Sequence, residues 1–396
     1  MSLSIALRSA LPDPEPVRPL LDEPHASLAG RFGSLAGLLA DLAQPEGDEQ
    51  ARQQARTILG RLGEGGWYDA IERQDLRACC LIREALGAVS PLADAVFALQ
   101  ALGTTPLLVA GSETLRERFV PAVVEGQAMA AFAMTEPEAG SDVAALSTTA
   151  VRDGDGYLLN GHKTFISNAG IADFYCVFAS TDPARGTRGI TCFVVPAETP
   201  GLEFVAPQVL SAPHPLGELR LRDCRVPAVN VIGEEGRGFK VGMATLDRLR
   251  PTVGAAACGM ASRALEEALA HAMSRKQFGQ PISSFQIIQE KLGRMYTDLA
   301  ASRLLVYRAA WEKDAGAERI TVEAAVAKSF ATEAAQKIVD EAVQILGGRG
   351  VLASHPVDRL YRSVRALRIY EGTTEIQRII IARALLDARR ESAESP

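Results

Sequence analysis

The chain has 396 residues, of which 47% are hydrophobic and 23% charged, and its formal net charge is -6. Such a length supplies an ample buried core for two or three domains. The acidic balance, with no Lys/Arg-dense run interleaved with aromatics, argues against DNA or RNA binding. No uninterrupted apolar stretch is expected to reach bilayer length, because the longest candidates, such as Thr252 to Ala270, carry charges, here Arg263, Glu266 and Glu267, at helical spacing. No membrane association is expected.

Residues 1–24 contain Pro12, Pro14, Pro16 and Pro19 and are expected to form an extended, poorly ordered arm. The segment from Met1 to Leu11 lacks the architecture of a secretory signal, so a cytoplasmic location is expected. Six cysteines lie mostly within apolar runs and read as reduced core residues. Five scattered histidines offer no ligand spacing, so no metal site is expected.

Residues 25–127 carry helical patterns at Ala51–Leu62, Leu76–Leu86 and Leu92–Leu102 and predict a first helical domain. Residues 128–235 change to short alternating or apolar runs and predict a β domain. Its strands are expected at Met129–Met134, Tyr157–Asn160, Phe174–Ala179, Gly189–Val195 and Glu218–Leu221. Asp153-Gly154-Asp155-Gly156 is a hairpin signal between Val151 and Tyr157. Residues 236–396 return to long helical patterns, with Pro251 read as the start of a helix over Pro251–Lys276. Further helices over Ser283–Ala315, Thr321–Leu346 and Thr374–Arg390 complete an expected four-helix bundle. The α, β, α order has no βαβ alternation, which argues against a doubly wound nucleotide fold. Gly347-Gly348-Arg349-Gly350 follows a helix and so does not meet the dinucleotide fingerprint.

Three segments carry candidate chemistry. In Arg368–Arg378, Glu371 follows the apolar Ile369 and Tyr370 and precedes Gly372; a carboxylate held in an apolar cleft is a stronger base. The same residues also fit a plain loop, with Glu371 solvated and Thr373 capping a helix from Thr374. In Phe132–Asp142, a threonine, a serine and exposed amides share one turn, which suits a flat heterocycle and a phosphate, although a polar inter-strand loop reads the same way. Lys163–Gly170 offers the Phe165 ring and the Ser167 hydroxyl, or simply a strand end with a turn.

Together these residues resemble the acyl-CoA dehydrogenase family, FAD enzymes that introduce an α,β double bond into acyl-CoA thioesters. The resemblance spans roughly residues 85–388 with the motifs in order. It implies an α+β fold, acyl-CoA dehydrogenase-like, with an N-terminal helical domain, a middle β domain and a C-terminal four-helix bundle. Thr135-Glu136-Pro137-x-Ala139-Gly140-Ser141-Asp142 resembles the flavin-binding turn, which implies cofactor contacts from Phe132, Met134, Thr135, Gly140 and Ser141. Phe165, Ile166 and Ser167 stand where Trp-Ile-Thr is usual and are implied to pack on and hydrogen-bond the flavin. Arg275-x-x-Phe278-Gly279 and Gln344–Gly348 resemble the diphosphate clamp, implying Arg275, Gln277, Phe278, Phe285, Gln286, Gln344, Ile345, Gly347 and Gly348. Because that clamp reaches a neighbouring subunit's FAD, a homo-oligomer is implied, a dimer or a tetramer built as a dimer of dimers.

Tyr370-Glu371-Gly372-Thr373 resembles the catalytic segment, with Glu371 taking the pro-R α-proton while the β-hydrogen leaves as hydride to flavin N5. Its amide is implied to bind the thioester oxygen. Tyr370, Gly372 and Ser141 join the substrate contacts, and Thr373 and Glu375 the FAD contacts. Leu246-Asp247-x-x-Arg250-Pro251 resembles the coenzyme A contact, with Asp247 and Arg250 three apart on one helix face; an ordinary ion pair has the same spacing. Phe97, Ala98 and Ala101 are the implied floor of the acyl pocket. Leu249 occupies the position where some relatives carry the base instead. Ser211–Gly217 replaces the usual Gly-x-Arg-x-Ser segment, and a Gly-rich loop usual after the first helices is absent. The implied electron acceptor is an electron-transfer flavoprotein. An oxidase using oxygen and a non-catalytic binding homologue remain alternatives, and the acyl chain is open.

Overall fold

The computed structural model describes residues 5–394. The helices of the first part are α1 (Ile5–Ala10), α2 (Glu23–Ala29), α3 (Phe32–Leu38), α4 (Asp48–Glu64), α5 (Asp69–Glu72), α6 (Leu76–Val89), α7 (Pro91–Ala110) and α8 (Glu113–Val124). Strands β1 (Ala130–Ala133), β2 (Thr149–Asp153), β3 (Gly156–Ser167), β4 (Phe174–Ser180), β5 (Ile190–Pro196), β6 (Leu202–Pro207), β7 (Leu216–Pro227) and β8 (Val231–Ile232) follow. Helix α9 (Gly238–Ser274) leads into a two-strand hairpin, β9 (Lys276–Gln277) and β10 (Gln280–Pro281). Helices α10 (Gln286–Asp314), α11 (Thr321–Leu346), α12 (Pro356–Leu367) and α13 (Thr374–Glu394) complete the chain.

The α, β, α order expected from the sequence is present, but compactness divides the chain differently. One unit holds the residues up to Asp41, Asp75–Asp94 and those from Asp247 onward; the other holds Leu42–Gln74 and Ala95–Leu246. Two of the four boundaries therefore fall inside α7 and α9, and the other two in the connections from α3 to α4 and from α5 to α6.

Three expectations are corrected. The N-terminal arm, of which residues 1–4 lie outside the described residues, is not extended from Ile5 on: α1 is followed by a 3₁₀ helix over Glu15–Leu20. Pro14 and Pro16 stand at the start of that helix and Pro19 inside it, Ala10 and Val17 are buried, and two carbonyls are used, Ala10 O accepting from Ser262 Oγ at 3.1 Å and Asp13 O from Arg303 Nη2 at 2.7 Å. Pro251 does not open a helix but lies inside α9, where its ring removes one helical donor without ending the helix. Finally, α7 is long and apolar enough to cross a membrane by length and composition, contrary to the sequence reading. With 72% of its apolar window buried in this structure, it is a core helix.

In the second unit the sheet runs β6-β7-β3-β2-β4-β5-β8, with β1 added parallel to β4. The expected hairpin is present, Asp153 pairing with Gly156 across a turn in which Gly154 has φ 58°. Alternation buries Leu159, Ile166, Val177, Phe193 and Leu219 on one face and Phe174, Cys176, Phe178, Cys192 and Val194 on the other. All six cysteines are free and buried, as expected. In the first unit α10 and α11 pack lengthwise, with α12 and α13 against α11.

Candidate active site

In the first unit, the loop between α12 and α13 carries Tyr370-Glu371-Gly372, and each of its carbonyls is held from within the chain. Lys328 of α11 donates to Tyr370 O at 2.5 Å and also to Gly372 O. Arg250 Nε of α9 donates to Glu371 O at 3.2 Å, and Gln377 Nε2 donates to Gly372 O at 2.9 Å and Glu371 O at 3.3 Å. With a trans peptide, the Tyr370 carbonyl pointing at Lys328 turns the Glu371 N–H the opposite way. Glu371 has φ 55°, a conformation that costs a non-glycine residue free energy and that three cationic or amide donors hold in place.

The Glu371 carboxyl combines an orphan atom with a charged surround. Oε2 is buried and has no hydrogen-bond partner. Burial pushes the carboxyl above the ordinary carboxylate range; Arg83, Lys328 and Arg250 oppose this and Asp94 adds to it. Arg83 of α6 is itself fully buried and forked onto Asp94 of α7, Nε to Oδ1 at 2.8 Å and Nη2 to Oδ2 at 3.0 Å. Its Nη1 donates to Thr252 Oγ1 at 2.9 Å, two residues along α9 from Arg250.

Arg83, Asp94, Lys328 and Gln377 were not singled out from the sequence. The signal available was a charge set in an apolar helical run, as with Arg83 between Ile82 and Leu86 or Lys328 among alanines. Lys328 yields a test. Burial holds its ammonium down to about 8 from 10.5, with Glu371 opposing and Arg250 adding. Between those values the unfolded chain retains a proton that the folded chain has lost, so stability rises with pH across that window, by roughly 3 kcal/mol at most. Below pH 8 the cost is present in full. Chemical unfolding of the wild type and Lys328→Met at pH 7.5 and 10 should show the wild type gaining on the variant; a constant gap would mean that this ammonium is not depressed.

Asp247 and Arg250 form the ion pair that their spacing allows, Nη1 to Oδ1 at 2.6 Å, and Asp247 Oδ2 accepts from Thr321 at 2.7 Å. Leu249 is buried. Thr373 Oγ1 accepts from Ile376 N at 3.4 Å, so its hydroxyl caps α13. Glu375 is exposed in the first turn of that helix. The β9–β10 hairpin presents Arg275, Gln277 and Phe278 to solvent, Phe278 at 93% exposure and φ 49°. Its ring meets Phe285 edge-on at 6.1 Å, beside Gln286 at the start of α10. At the end of α11 Gln344, Gly347 and Gly348 are exposed, whereas the Ile345 side chain is buried and has only its backbone to offer.

In the second unit, Lys163 Nζ donates to Met134 O at 3.2 Å and Thr164 N to Thr135 O at 3.1 Å, joining the turn after β1 to the end of β3. Glu136 anchors that turn. It accepts from Ser147 N at 2.6 Å, Ser147 Oγ at 2.7 Å, Lys163 Nζ at 2.8 Å and the Thr148 hydroxyl. Burial would raise its carboxyl, but Lys163 and these donors hold it at about 2. Burial in turn lowers the Lys163 ammonium to about 8, so the two halves of the pair nearly offset and its contribution is to shape.

A register shift between Lys163 and Ile166 bulges β3 and turns Phe165 outward, at φ 53° and 61% exposure. Phe165 N donates to Gln208 Oε1 at 2.8 Å, and Ser167 Oγ lies 2.8 Å from His214 Nε2. Ile166 packs into the sheet core. Phe132 packs on Phe178 and Met134 is buried, while Gly140 and Ser141 are exposed, with open space where a Gly140 Cβ would lie. Phe97, Ala98 and Ala101 are buried on α7, Phe97 stacked on Tyr68 at 5.7 Å. An exposed aromatic ring and the hydroxyls of Thr135 and Ser141 in the loop after β1 and of Ser167 at the end of β3 are groups of the kind that bind a flat, hydrogen-bonding heterocycle.

Residues 236–386 match the family model for the acyl-CoA dehydrogenase C-terminal domain, and residues 131–224 that for its middle domain. A probable acyl-CoA dehydrogenase of Mycobacterium tuberculosis is 38% identical over 377 residues, covering 92% of this chain and 96% of that protein. The chain belongs to the acyl-CoA dehydrogenase family. It is thus an FAD-dependent oxidoreductase, and its helical, sheet and helical parts are those of the family fold. Among solved structures, butyryl-CoA dehydrogenase from Megasphaera elsdenii superposes with a TM-score of 0.81 at 34% identity, over 98% of this chain and 99% of that one. PigA, determined with FAD and proline, superposes with a TM-score of 0.83 at 29% identity, over 92% and 98%.

Proposed function

We propose that this acyl-CoA dehydrogenase oxidises an acyl-CoA thioester to the trans-2-enoyl-CoA, with Glu371 removing the α-proton. The observation that carries the reading is the Glu371 carboxyl: with Oε2 buried and unpartnered and its pKa raised, it sits on a loop whose carbonyls are all tied back. A base needs such an unengaged oxygen and a pKa closer to that of its operating range. The Glu371 N–H, turned away from Lys328, is the donor that would meet the thioester oxygen as negative charge develops there. FAD, when bound, supplies N5 as acceptor of the β-hydride. Thr135, Ser141, Phe165 and Ser167 would hold its ring system, and Arg250 with Asp247 would meet the coenzyme A arm.

Electrons then pass to an electron-transfer flavoprotein, and the enzyme works in the cytoplasm as a homo-oligomer. The six reduced cysteines support that compartment, since thiols persist where the surroundings are reducing. The nearly bare Phe278 ring beside Arg275 supports a subunit contact at the hairpin, where the guanidinium would reach the FAD diphosphate of a neighbouring subunit. Arg275→Ala should weaken FAD binding roughly tenfold to a hundredfold, the loss of a charge-assisted hydrogen bond worth about 1.5–3 kcal/mol. Unchanged affinity by flavin fluorescence would remove Arg275 from the clamp.

The decisive experiment is anaerobic titration of the holoenzyme with straight, branched and cyclic acyl-CoAs, reading loss of flavin absorbance. Bleaching by a subset identifies the acyl class. No bleaching across the panel would refute the activity, and peroxide release in air would put oxygen in place of the flavoprotein.

A further inference from the structure

Two segments in which this chain departs from its family's pattern meet in space. Ser167, in the Phe-Ile-Ser that stands for Trp-Ile-Thr, ends β3 and pairs with Leu216 of β7. His214, in the segment that stands for Gly-x-Arg-x-Ser, lies two residues before Leu216, and its Nε2 is 2.8 Å from Ser167 Oγ. The surroundings fix this contact. Pro213 and Pro215 restrict the backbone on either side of His214. Asn168 N donates to Pro215 O at 3.0 Å, and Arg52 of α4, paired with Asp48 at 2.6 Å, donates to Leu216 O at 2.8 Å and Ala169 O at 2.5 Å.

Burial, with Arg52 adding and Asp48 opposing, pushes the imidazolium down to about 4, so His214 is neutral at ordinary pH. A neutral imidazole presents one N–H and one lone pair. If Nε2 offers its lone pair, the Ser167 hydroxyl spends its one proton on His214 and can only accept from a ligand; if Nε2 carries the proton, the hydroxyl accepts it and keeps its own proton to donate to a ligand. Without His214 that hydroxyl would rotate among its staggered positions.

We propose that His214 is the positioning residue that fixes the Ser167 hydroxyl toward the flavin, and that it thereby sets the reduction potential of the bound FAD. The proposal rests on the reading above in which Ser167 faces the flavin. A hydrogen bond to the isoalloxazine acts unequally on its oxidised and reduced forms, so fixing or freeing one shifts the potential.

The test uses full-length holoenzyme carrying His214→Ala, Ser167→Ala or both, with the midpoint potential of FAD read by anaerobic dye-coupled titration alongside its absorption spectrum. Each single variant should shift the potential and perturb the spectrum. The double variant should shift no further than Ser167→Ala, because His214 acts only through that hydroxyl, and His214→Gln, whose amide reaches the Nε2 position, should restore most of the original value. If His214→Ala does not fold, His214→Asn, whose amide stops short of that position, gives the same reading. A potential moved by Ser167→Ala but not by the His214 variants overturns the proposal and leaves Ser167 at the flavin. Additive shifts also overturn it. A potential moved by neither overturns both the proposal and the flavin-facing placement of Ser167.

Discussion

Glu371→Gln should give a holoenzyme that keeps FAD and binds acyl-CoA yet reduces its flavin about 10²- to 10⁴-fold more slowly, the range that a positioned general base contributes. Glutamine preserves the shape and the positive-φ loop, since the bonds from Lys328, Arg250 and Gln377 run to main-chain carbonyls. Only the proton acceptor is lost. Stopped-flow absorbance checks this directly, and full-rate bleaching by the variant would disprove the base assignment.

The same substitution has a sign in stability. The Glu371 carboxyl is raised in the folded protein, so its ionised form costs stability above the folded pKa, a cost absent below the unfolded value. Glutamine removes the charge, and Tm at neutral pH should hold or rise while activity falls. In the wild type, kcat/KM should climb with pH along a limb centred above the ordinary carboxylate range, as the carboxylate forms. A limb centred near an ordinary glutamate would mean that the carboxyl is solvated in the working enzyme.

What was legible in the sequence was what neighbours in the chain decide. Periodicity marked α11 over its full length, and Gly154 between two short runs marked the β2–β3 hairpin. The motif around Glu371 marked a candidate base. What stayed hidden was made by distant partners. Lys328 reads as one more helical residue among alanines until Tyr370 and Gly372, 42 and 44 positions on, supply carbonyls for it. Pro251 read as a helix start because its missing donor is harmless there, whereas α9 runs through it with Thr252 Oγ1 donating to Leu249 O at 2.7 Å. The Pro-rich N-terminal arm read as unstructured because its buried positions, Ala10, Pro12 and Val17 among the described residues, are too few to show a period. Ser167 and His214 lie 47 positions apart, and neither departure from the family pattern points to the other.

The other large effect is expected at Arg83. Arg83→Met leaves the Asp94 carboxylate buried without its fork of two hydrogen bonds, and removing one partner of a buried pair costs about 3–5 kcal/mol. Replacing both, with Arg83→Met and Asp94→Leu, removes both desolvation penalties together and should recover most of that loss. Equilibrium unfolding of the two singles and the double gives the coupling, and additive losses would show that the pair is not a unit. Catalysis separates the partners by sign. The charged groups that act most on Glu371 are Arg83 on α6, Lys328 on α11, Arg250 on α9 and Asp94 on α7. Losing Arg83 strips away a positive neighbour and should move the acid limb of kcat/KM to higher pH. Asp94→Asn removes a negative neighbour and should move it to lower pH. A merely structural pair would lower stability and leave the limb in place, so opposite displacements by two variants that both destabilise the fold would tie Arg83 and Asp94 to the proton that Glu371 takes.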